Sequence, residues 1–168
     1  AQNGDIVDRE NPSSHLELGP IPLKYGYDTN VTGNGGKSSI DPIIYRLADV
    51  YLTLAEALYL KPGSSAADKE EAMTHINTIR NRAGLDGISN SEVNTEEKFV
   101  EILLKERSHE LWCENGQYRA DLIRFNKFVE HAETVKGTAY ANKNKELYPL
   151  PLSAINDVKG LVTQNPGY

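Results

Sequence analysis

Residues 41–63 read DPIIYRLADVYLTLAEALYLKPG, and this stretch decides the fold. Its apolar side chains recur every three or four positions, at Ile43, Leu47, Tyr51, Leu54, Ala55 and Leu58. That period predicts an amphipathic helix. Asp41-Pro42 is typical of an N-cap followed by proline in the first turn, and Pro62-Gly63 ends the pattern. We therefore predict a helix that begins at Asp41-Pro42 and stops before Pro62.

A second helix is predicted immediately downstream. Ser64 or Ser65 is a suitable N-cap, and Gly84 is a suitable C-terminal cap. Between them the apolar residues of one face are Ala72, Met73, Ile76, Ile79 and Ala83. The small side chains of Ala48 and Ala55 on the first helix allow a close approach, so the two helices should form a hairpin.

Two further helices are predicted after this hairpin. Asn94 and Glu97 have capping-box spacing, and an apolar stripe runs from Phe99 towards Asn115-Gly116. The fourth helix would present one apolar side, formed by Tyr118, Leu122, Phe125 and Val129. Two successive hairpins resemble tetratricopeptide repeats. The predicted fold class is all-α, with tetratricopeptide-like helical hairpins and irregular loops.

The segments on either side of the helices are irregular. Residues 1–40 show neither helical nor strand periodicity, and we expect them to be a lead-in that belongs to a preceding part of the protein, with the helical region at 41–168. Prolines in Tyr148–Pro151 disfavour a central strand. A short helix is predicted from Ser153 to Val158, and the end at Gln164–Tyr168 is turn-like. The whole tail from Tyr148 to Tyr168 is expected to pack back on the helices.

The start of the chain leads to a further expectation. It has no initiator Met, no apolar signal segment and no lipidation cysteine, so we expect that an N-terminal part has been removed. Two hairpins bury less apolar surface than the three or more repeats that an array normally needs. We therefore expect the first hairpin to expose an apolar face that contacts this missing N-terminal part.

Composition argues against several classes of protein. The net charge of -6 opposes binding to nucleic acid, which depends on clustered Lys and Arg. No apolar run approaches the roughly 20 residues of a membrane span. Cys113 is the single cysteine, so no intrachain disulfide can form, and we expect it to be a small buried side chain.

Three carboxylates occupy a face of the third helix that should be partly buried. Glu106, Glu110 and Glu114 lie four residues apart, and the first two extend the apolar stripe. Buried carboxylates require cationic partners. Arginine suits this role because its planar fork pairs with both carboxylate oxygens. We predict a structural ion-pair network with the arginines of adjoining elements, which are Arg80, Arg82, Arg107, Arg119 and Arg124.

Catalytic and metal-binding readings of the same helix are less favoured. Glu106-x-x-His109 matches the spacing of di-iron bundles, but no second copy is present. His109-Glu110 begins like a zinc-protease motif, yet Cys113 stands where the second histidine belongs. The nucleophile elbow, the P-loop and the dinucleotide fingerprint are absent from the sequence. We therefore expect no enzyme, no metal and no cofactor, although a hydrolase using Glu106 and Glu110 stays an alternative.

Tyrosines near the first helix are candidate ligand contacts. Tyr25, Tyr27 and Tyr45 could stack on sugar rings and hydrogen-bond their hydroxyls. The favoured interpretation is that they pack the lead-in onto the helices, so Tyr25 and Tyr27 are weak candidates for a ligand site.

Four blocks in order resemble the C-terminal region of the SusD/RagB family. They are YRLADVYL (45–52), INTIRNRAG (76–84), ERSHELWCE (106–114) with GQYRADLIR (116–124), and YPLP (148–151) with QNPGY (164–168). The resemblance covers about residues 40 to 168. It implies the SusD-like α-helical fold in a lipoprotein exposed on the cell outer membrane, with a SusC-like TonB-dependent transporter as its partner.

In that family the lipoprotein is a lid and receptor for an oligosaccharide, or in some members a peptide, during nutrient import. It makes and breaks no bond. The ligand-binding aromatic residues of family members tend to precede the blocks seen here. The alternative function is a helical-repeat scaffold that mediates protein–protein interaction, which the hairpins alone would support.

Overall fold

The computed structural model describes residues 24–25, 40–114, 116–158 and 161–168. The chain divides into two units, 1–44 and 45–168, and every helix described below belongs to the second. The α-helices are α1 (Leu47–Leu60), α2 (Ala66–Arg82), α3 (Glu96–Glu110), α4 (Gln117–Arg124), α5 (Phe128–Lys136) and α6 (Leu152–Asp157). Short 3-10 turns cover Asn90–Glu92, Thr138–Tyr140 and Lys143–Glu146. The predicted all-α class is confirmed, because the described residues contain no strand.

The hairpin of α1 and α2 forms the centre of the second unit. Ala48 and Ala55, the small side chains predicted to let the helices approach, both lie in the core, and Ala72 of α2 is fully buried as well. Larger apolar side chains fill the space around these alanines, and Phe99 of α3 packs into the same core. The Phe99 ring stacks on Tyr59 with 3.8 Å between the ring centroids. Burial of these apolar surfaces is the main force that holds the three helices together.

The caps of α2 confirm the local prediction. Ser65 is the N-cap, and its side chain accepts a hydrogen bond from the Asp68 amide while Asp68 reaches back to the Ser65 amide. Lys61 adds an ion pair to Asp68 at 2.6 Å. At the other end Gly84 follows the C-cap with φ of +75°, a left-handed conformation that glycine adopts without strain.

The predicted start of α1 was wrong. The helix begins at Leu47, and Arg46 is an N-cap in extended conformation with φ of -148°. The guanidinium of Arg46 lies between Glu110 and Glu114. An earlier start would turn Arg46 into the helix and carry its side chain away from both carboxylates. The Asp41-Pro42 signal is local and contains no information about that tertiary contact.

The predicted fourth helix is in fact two helices. Asn126 has φ of +56°, so the helical path breaks between α4 and α5. The Asn126 amide donates to Ile123 at 2.9 Å and the Lys127 amide donates to Leu122 at 2.7 Å. This is the Schellman arrangement, and asparagine adopts the left-handed conformation it needs more readily than most residues. The second predicted hairpin is therefore replaced by α3 and two short helices.

The end of α3 also differs from the prediction, and so does Cys113. The helix stops at Glu110, before the predicted Asn115-Gly116, and its N-cap is Thr95 where Asn94 was predicted. Cys113 has φ of +61° and is exposed, so the prediction of a buried thiol was wrong. The tight turn after α3 directs Glu114 inwards and leaves Cys113 at the surface.

The C-terminal tail folds back on the segment before α6. Gln164 makes two hydrogen bonds with the main chain of Leu150. The Leu150 amide donates to Gln164 Oε1 at 2.7 Å, and Gln164 Nε2 donates to the Leu150 carbonyl at 2.9 Å. The Asn165 side chain donates to Tyr148 and the Tyr168 hydroxyl donates to Leu147. Helix α6 lies within one residue of its predicted position.

Candidate ligand site

The first ionic cluster joins α1, α2 and α3. We call it the Arg46 cluster, and its members are Arg46, Arg80, Arg82, Glu106, Glu110 and Glu114. The Nε of Arg46 donates to both carboxylate oxygens of Glu114, at 3.0 and 2.9 Å. Its Nη1 pairs with the Glu110 carboxylate and its Nη2 donates to the Glu110 carbonyl. The Arg46 guanidinium thus connects the start of α1 to the end of α3.

The other two arginines of the Arg46 cluster come from α2. Arg80 pairs with Glu106, whose side chain is 5% exposed, and Arg82 pairs with Glu110, whose side chain is 10% exposed. Burial of the Arg46 guanidinium disfavours its charge, but hydrogen bonds to Glu114 and Glu110 outweigh that effect and raise the pKa of Arg46. All three predicted glutamates therefore have arginine partners.

The second ionic cluster joins α1, α3 and α4. We call it the Arg107 cluster, and its members are Asp49, Glu56, Arg107, Asp121 and Arg124. Arg107 donates from Nε to Asp121 at 2.6 Å, and its Nη2 lies 3.0 Å from Asp49. Arg124 contacts the second oxygen of Asp121 at 2.9 Å and also pairs with Glu56. Arg107 and Arg124 thus pair with aspartates and Glu56, and with none of the predicted glutamates.

Arg119 has a different environment from the other predicted arginines. Its Nη2 donates to the carbonyl oxygens of Lys145 and Glu146, at 2.8 and 3.1 Å. The guanidinium lies over the rings of Tyr148 and Phe128, at 4.0 and 5.3 Å from their centroids. Sequence reasoning missed four members of the clusters, namely Arg46, Asp49, Glu56 and Asp121. The three-residue spacing of Asp121 and Arg124 was one available signal, since such pairs meet on a helix.

Of the three candidate tyrosines, the structure describes Tyr25 and Tyr45. Tyr25 is half-buried in the first unit, Tyr27 lies outside the described residues, and Tyr45 is exposed just before α1. The part of the chain that the structure describes contains no group of three or more His, Cys, Asp or Glu side chains suited to a metal ion. Nor does any helix in that part have the length and apolar character needed to cross a membrane.

Two cavities flank α5. The first, the α3–α5 groove, has a volume of about 650 Å³ and is lined by both acids and bases. Its charges are largely paired, with Lys98 3.0 Å from Glu101 and Lys127 2.7 Å from Glu130. Balanced ion pairs of this kind are ordinary on a solvated surface and contribute little to stability.

The second cavity, which we call the α5 hollow, lies between α4, α5 and the turns that follow. It has a volume of about 470 Å³, and the rings of Tyr118, Phe128 and Tyr140 line it. Tyr118 and His131 border both cavities, and their rings meet edge to face with centroids 5.2 Å apart. Burial raises the pKa of the Tyr118 hydroxyl. A concave apolar site with a few polar groups is the usual form of a small-molecule site.

The described fold and its cavities define an all-α protein with a helical hairpin at its centre and open hollows on its surface. The model of the SusD family matches residues 7–168, and the chain belongs to that family. It is 31% identical to the starch-binding protein SusD of Bacteroides thetaiotaomicron over 132 residues, which are 74% of this chain and 21% of that protein. It is 29% identical to the SusD-like protein P2 of Formosa agariphila over 157 residues, which are 89% of this chain and 30% of that protein.

The chain therefore spans less than a third of the length of these curated relatives. No solved structure gives a significant match to it.

Proposed function

We propose that this protein is the substrate-binding component of a SusC/SusD-type system that imports nutrients across an outer membrane. The observation that carries the proposal is the family match over residues 7–168. A relative that is 31% identical is described as starch-binding, which supports a glycan as the substrate class. A peptide is the second substrate class that the family resemblance allows.

The proposed place of action is the cell surface. The protein would be a lipoprotein of the outer membrane that acts as a lid and receptor on a SusC-like TonB-dependent transporter. It would act by binding alone. The buried carboxylates support this, because each of Glu106, Glu110 and Glu114 is engaged by an arginine and so is poorly placed for acid–base chemistry.

One observation favours the second candidate, a helical scaffold that binds protein. Helix α1 leaves an exposed apolar stripe, formed by Leu47, Val50 and Leu54. The positions are three and four residues apart, so they share one face. Exposed apolar stripes often mark contacts with protein. The same stripe could contact the remaining part of a longer SusD-like protein. We propose that it does so.

The test uses the whole protein in its source organism. A C-terminally tagged protein should copurify from outer membranes with a TonB-dependent transporter. Deletion of the gene should slow growth on one polysaccharide while growth on its monosaccharide is unchanged. Normal growth on every glycan and peptide together with copurification of cytoplasmic proteins alone would favour the scaffold function.

A further inference from the structure

The α5 hollow is lined by positive charge in a protein whose net charge is negative. Arg119, Lys136 and Lys145 line it together with His131, and no carboxylate is among its lining residues. The chain as a whole has 24 acidic and 18 basic residues, so a surface chosen at random would be more acidic than basic. The neighbouring α3–α5 groove contains three glutamates and three lysines. The charge of the hollow is therefore a local feature.

Arg119 differs from the other arginines described in the second unit. Each of those has a carboxylate partner, and they are Arg46, Arg80, Arg82, Arg107 and Arg124. Among the described residues, the partners of Arg119 are two carbonyl oxygens and two aromatic rings. Both carbonyl bonds use Nη2, which leaves Nε and Nη1 for a ligand. These contacts hold the guanidinium in place without neutralising it.

The two lysines are also without a carboxylate partner in the described part of the chain. Lys145 donates to the Gly167 carbonyl at 2.8 Å and lies 3.6 Å from the centroid of the Tyr168 ring. Lys136 lies 6.0 Å from the centroid of the Tyr140 ring. Carbonyl and ring contacts orient an ammonium group but leave its full charge available. Three cations at one cavity thus repel one another and favour the arrival of an anion.

The remaining wall of the hollow is apolar and open. Tyr140 is 60% exposed and Val135 is 62% exposed, although both are large hydrophobic side chains. Aromatic rings present a flat apolar face, and the hydroxyls of Tyr118 and Tyr140 can hydrogen-bond. A cavity of about 470 Å³ lies within the range of small-molecule sites. Apolar faces, hydroxyl groups and cations together match a sugar ring that carries an acidic substituent.

We propose that the α5 hollow binds an anionic sugar, that is, an oligosaccharide unit with a carboxylate or sulfate group. The sugar ring would lie on Tyr140 and Phe128, and its anionic group would face Arg119, Lys136 and Lys145. Nε and Nη1 of Arg119 and the two ammonium groups can each donate a charge-assisted hydrogen bond to an oxygen of either anion. This inference rests on the proposed glycan-binding function and assigns a ligand class to one site within the chain.

The test is isothermal titration calorimetry on the full 168-residue chain at 0.15 M salt. The probes are tetragalacturonate, a sulfated carrageenan tetrasaccharide, neutral maltotetraose and inorganic sulfate. We expect at least one acidic tetrasaccharide to bind, and maltotetraose and sulfate to bind at least tenfold more weakly. Lys136→Gln and Lys145→Gln should each weaken acidic-sugar binding about tenfold, the effect of one charge-assisted hydrogen bond. Tyr140→Ala should also weaken it.

The matched control is Lys105→Gln, which removes the same charge from the α3–α5 groove and should leave the affinity within twofold. Unchanged circular dichroism and thermal unfolding would show that all variants are folded. Equal weakening by Lys105→Gln and Lys136→Gln would overturn the inference, because the effect would then be general electrostatics. The inference would also be overturned if sulfate bound as tightly as the acidic sugars, or if no acidic sugar bound. If maltotetraose binds and none of the variants changes its affinity, the site in the α5 hollow is overturned but the proposed function is not. If the protein does not copurify with a transporter and its deletion has no growth phenotype, the proposed function is overturned.

Discussion

Replacement of Arg107 by methionine should destabilise the second unit strongly. The Arg107 side chain is 6% exposed and holds together Asp49 on α1 and Asp121 on α4. Methionine keeps much of the apolar stem but removes the charge. Two carboxylates that are 14% and 4% exposed would lose their shared cation. Asp121 would keep Arg124, but Asp49 would be left without its described ion-pair partner.

The magnitude follows from the burial of these groups. Removing one partner from a buried ion pair costs about 3–5 kcal/mol, since the other charge stays buried without compensation. A small domain has a total free energy of unfolding of about 5–15 kcal/mol, so the variant loses a large part of its stability. The corresponding decrease in Tm is about 10–20 °C.

The assay is urea unfolding of the full chain, followed by circular dichroism at 222 nm. Arg82→Met is the matched control, because Arg82 also pairs with a carboxylate, that of Glu110, but its side chain is 62% exposed. It should cost at most about 1 kcal/mol. Adding Asp49→Asn and Asp121→Asn to Arg107→Met should recover about 1–2 kcal/mol, since neutral groups cost less to bury than charges. If Arg107→Met and Arg82→Met cost the same, burial does not determine the strength of these pairs and the reasoning is refuted.

Three further outcomes are expected. Hydrogen bonds from Lys61 and Ser65 lower the pKa of Asp68 to about 2 from 3.8, so its contribution to stability should be complete above about pH 5 and decline as the pH falls towards 2. Carboxyl NMR titration should show this midpoint, and Lys61→Met should raise it; a midpoint near 3.8 in the unmodified protein would contradict the capping geometry. Phe99→Ala should cost about 3–5 kcal/mol in urea unfolding, because the ring is fully buried against Tyr59, and a cost below 1 kcal/mol would be inconsistent with that burial. Cys113 should react with a disulfide reagent in the folded protein as fast as a small thiol, whereas a strong acceleration on unfolding would show that it is buried.

Helical periodicity predicted most of the fold because it depends on neighbours within one turn. The α1–α2 hairpin, the Ser65 cap and the Gly84 cap all follow from residues fewer than five positions apart. The errors fall where a local signal competes with a distant contact. Arg46 is 68 residues from Glu114, and no pattern near Asp41-Pro42 contains that pairing. The break at Asn126 depends on a single left-handed residue within an otherwise regular apolar period.

The ionic clusters were likewise predictable only in part. Carboxylates on an apolar stripe predicted that arginines would approach Glu106 and Glu110, because the cost of burying an unpaired charge is independent of the fold. The choice of partner was not predictable, since Arg80 and Arg82 reach them from α2 while Arg107 turns to Asp49 and Asp121.

By itself, the sequence determined an all-α protein with a central hairpin, and its four blocks resembled the SusD family, because helical period and motif order are linear properties. Only the tertiary structure brought Arg119, Lys136 and Lys145 to one hollow without a carboxylate among its lining residues. Along the chain, Arg119 and Lys136 are separated by acids such as Asp121, Glu130 and Glu133. The common position of the three cations depends on how α4, α5 and the following turns pack. The electrostatic interaction between charges depends on their distances in space, and the order of residues along the chain does not specify those distances.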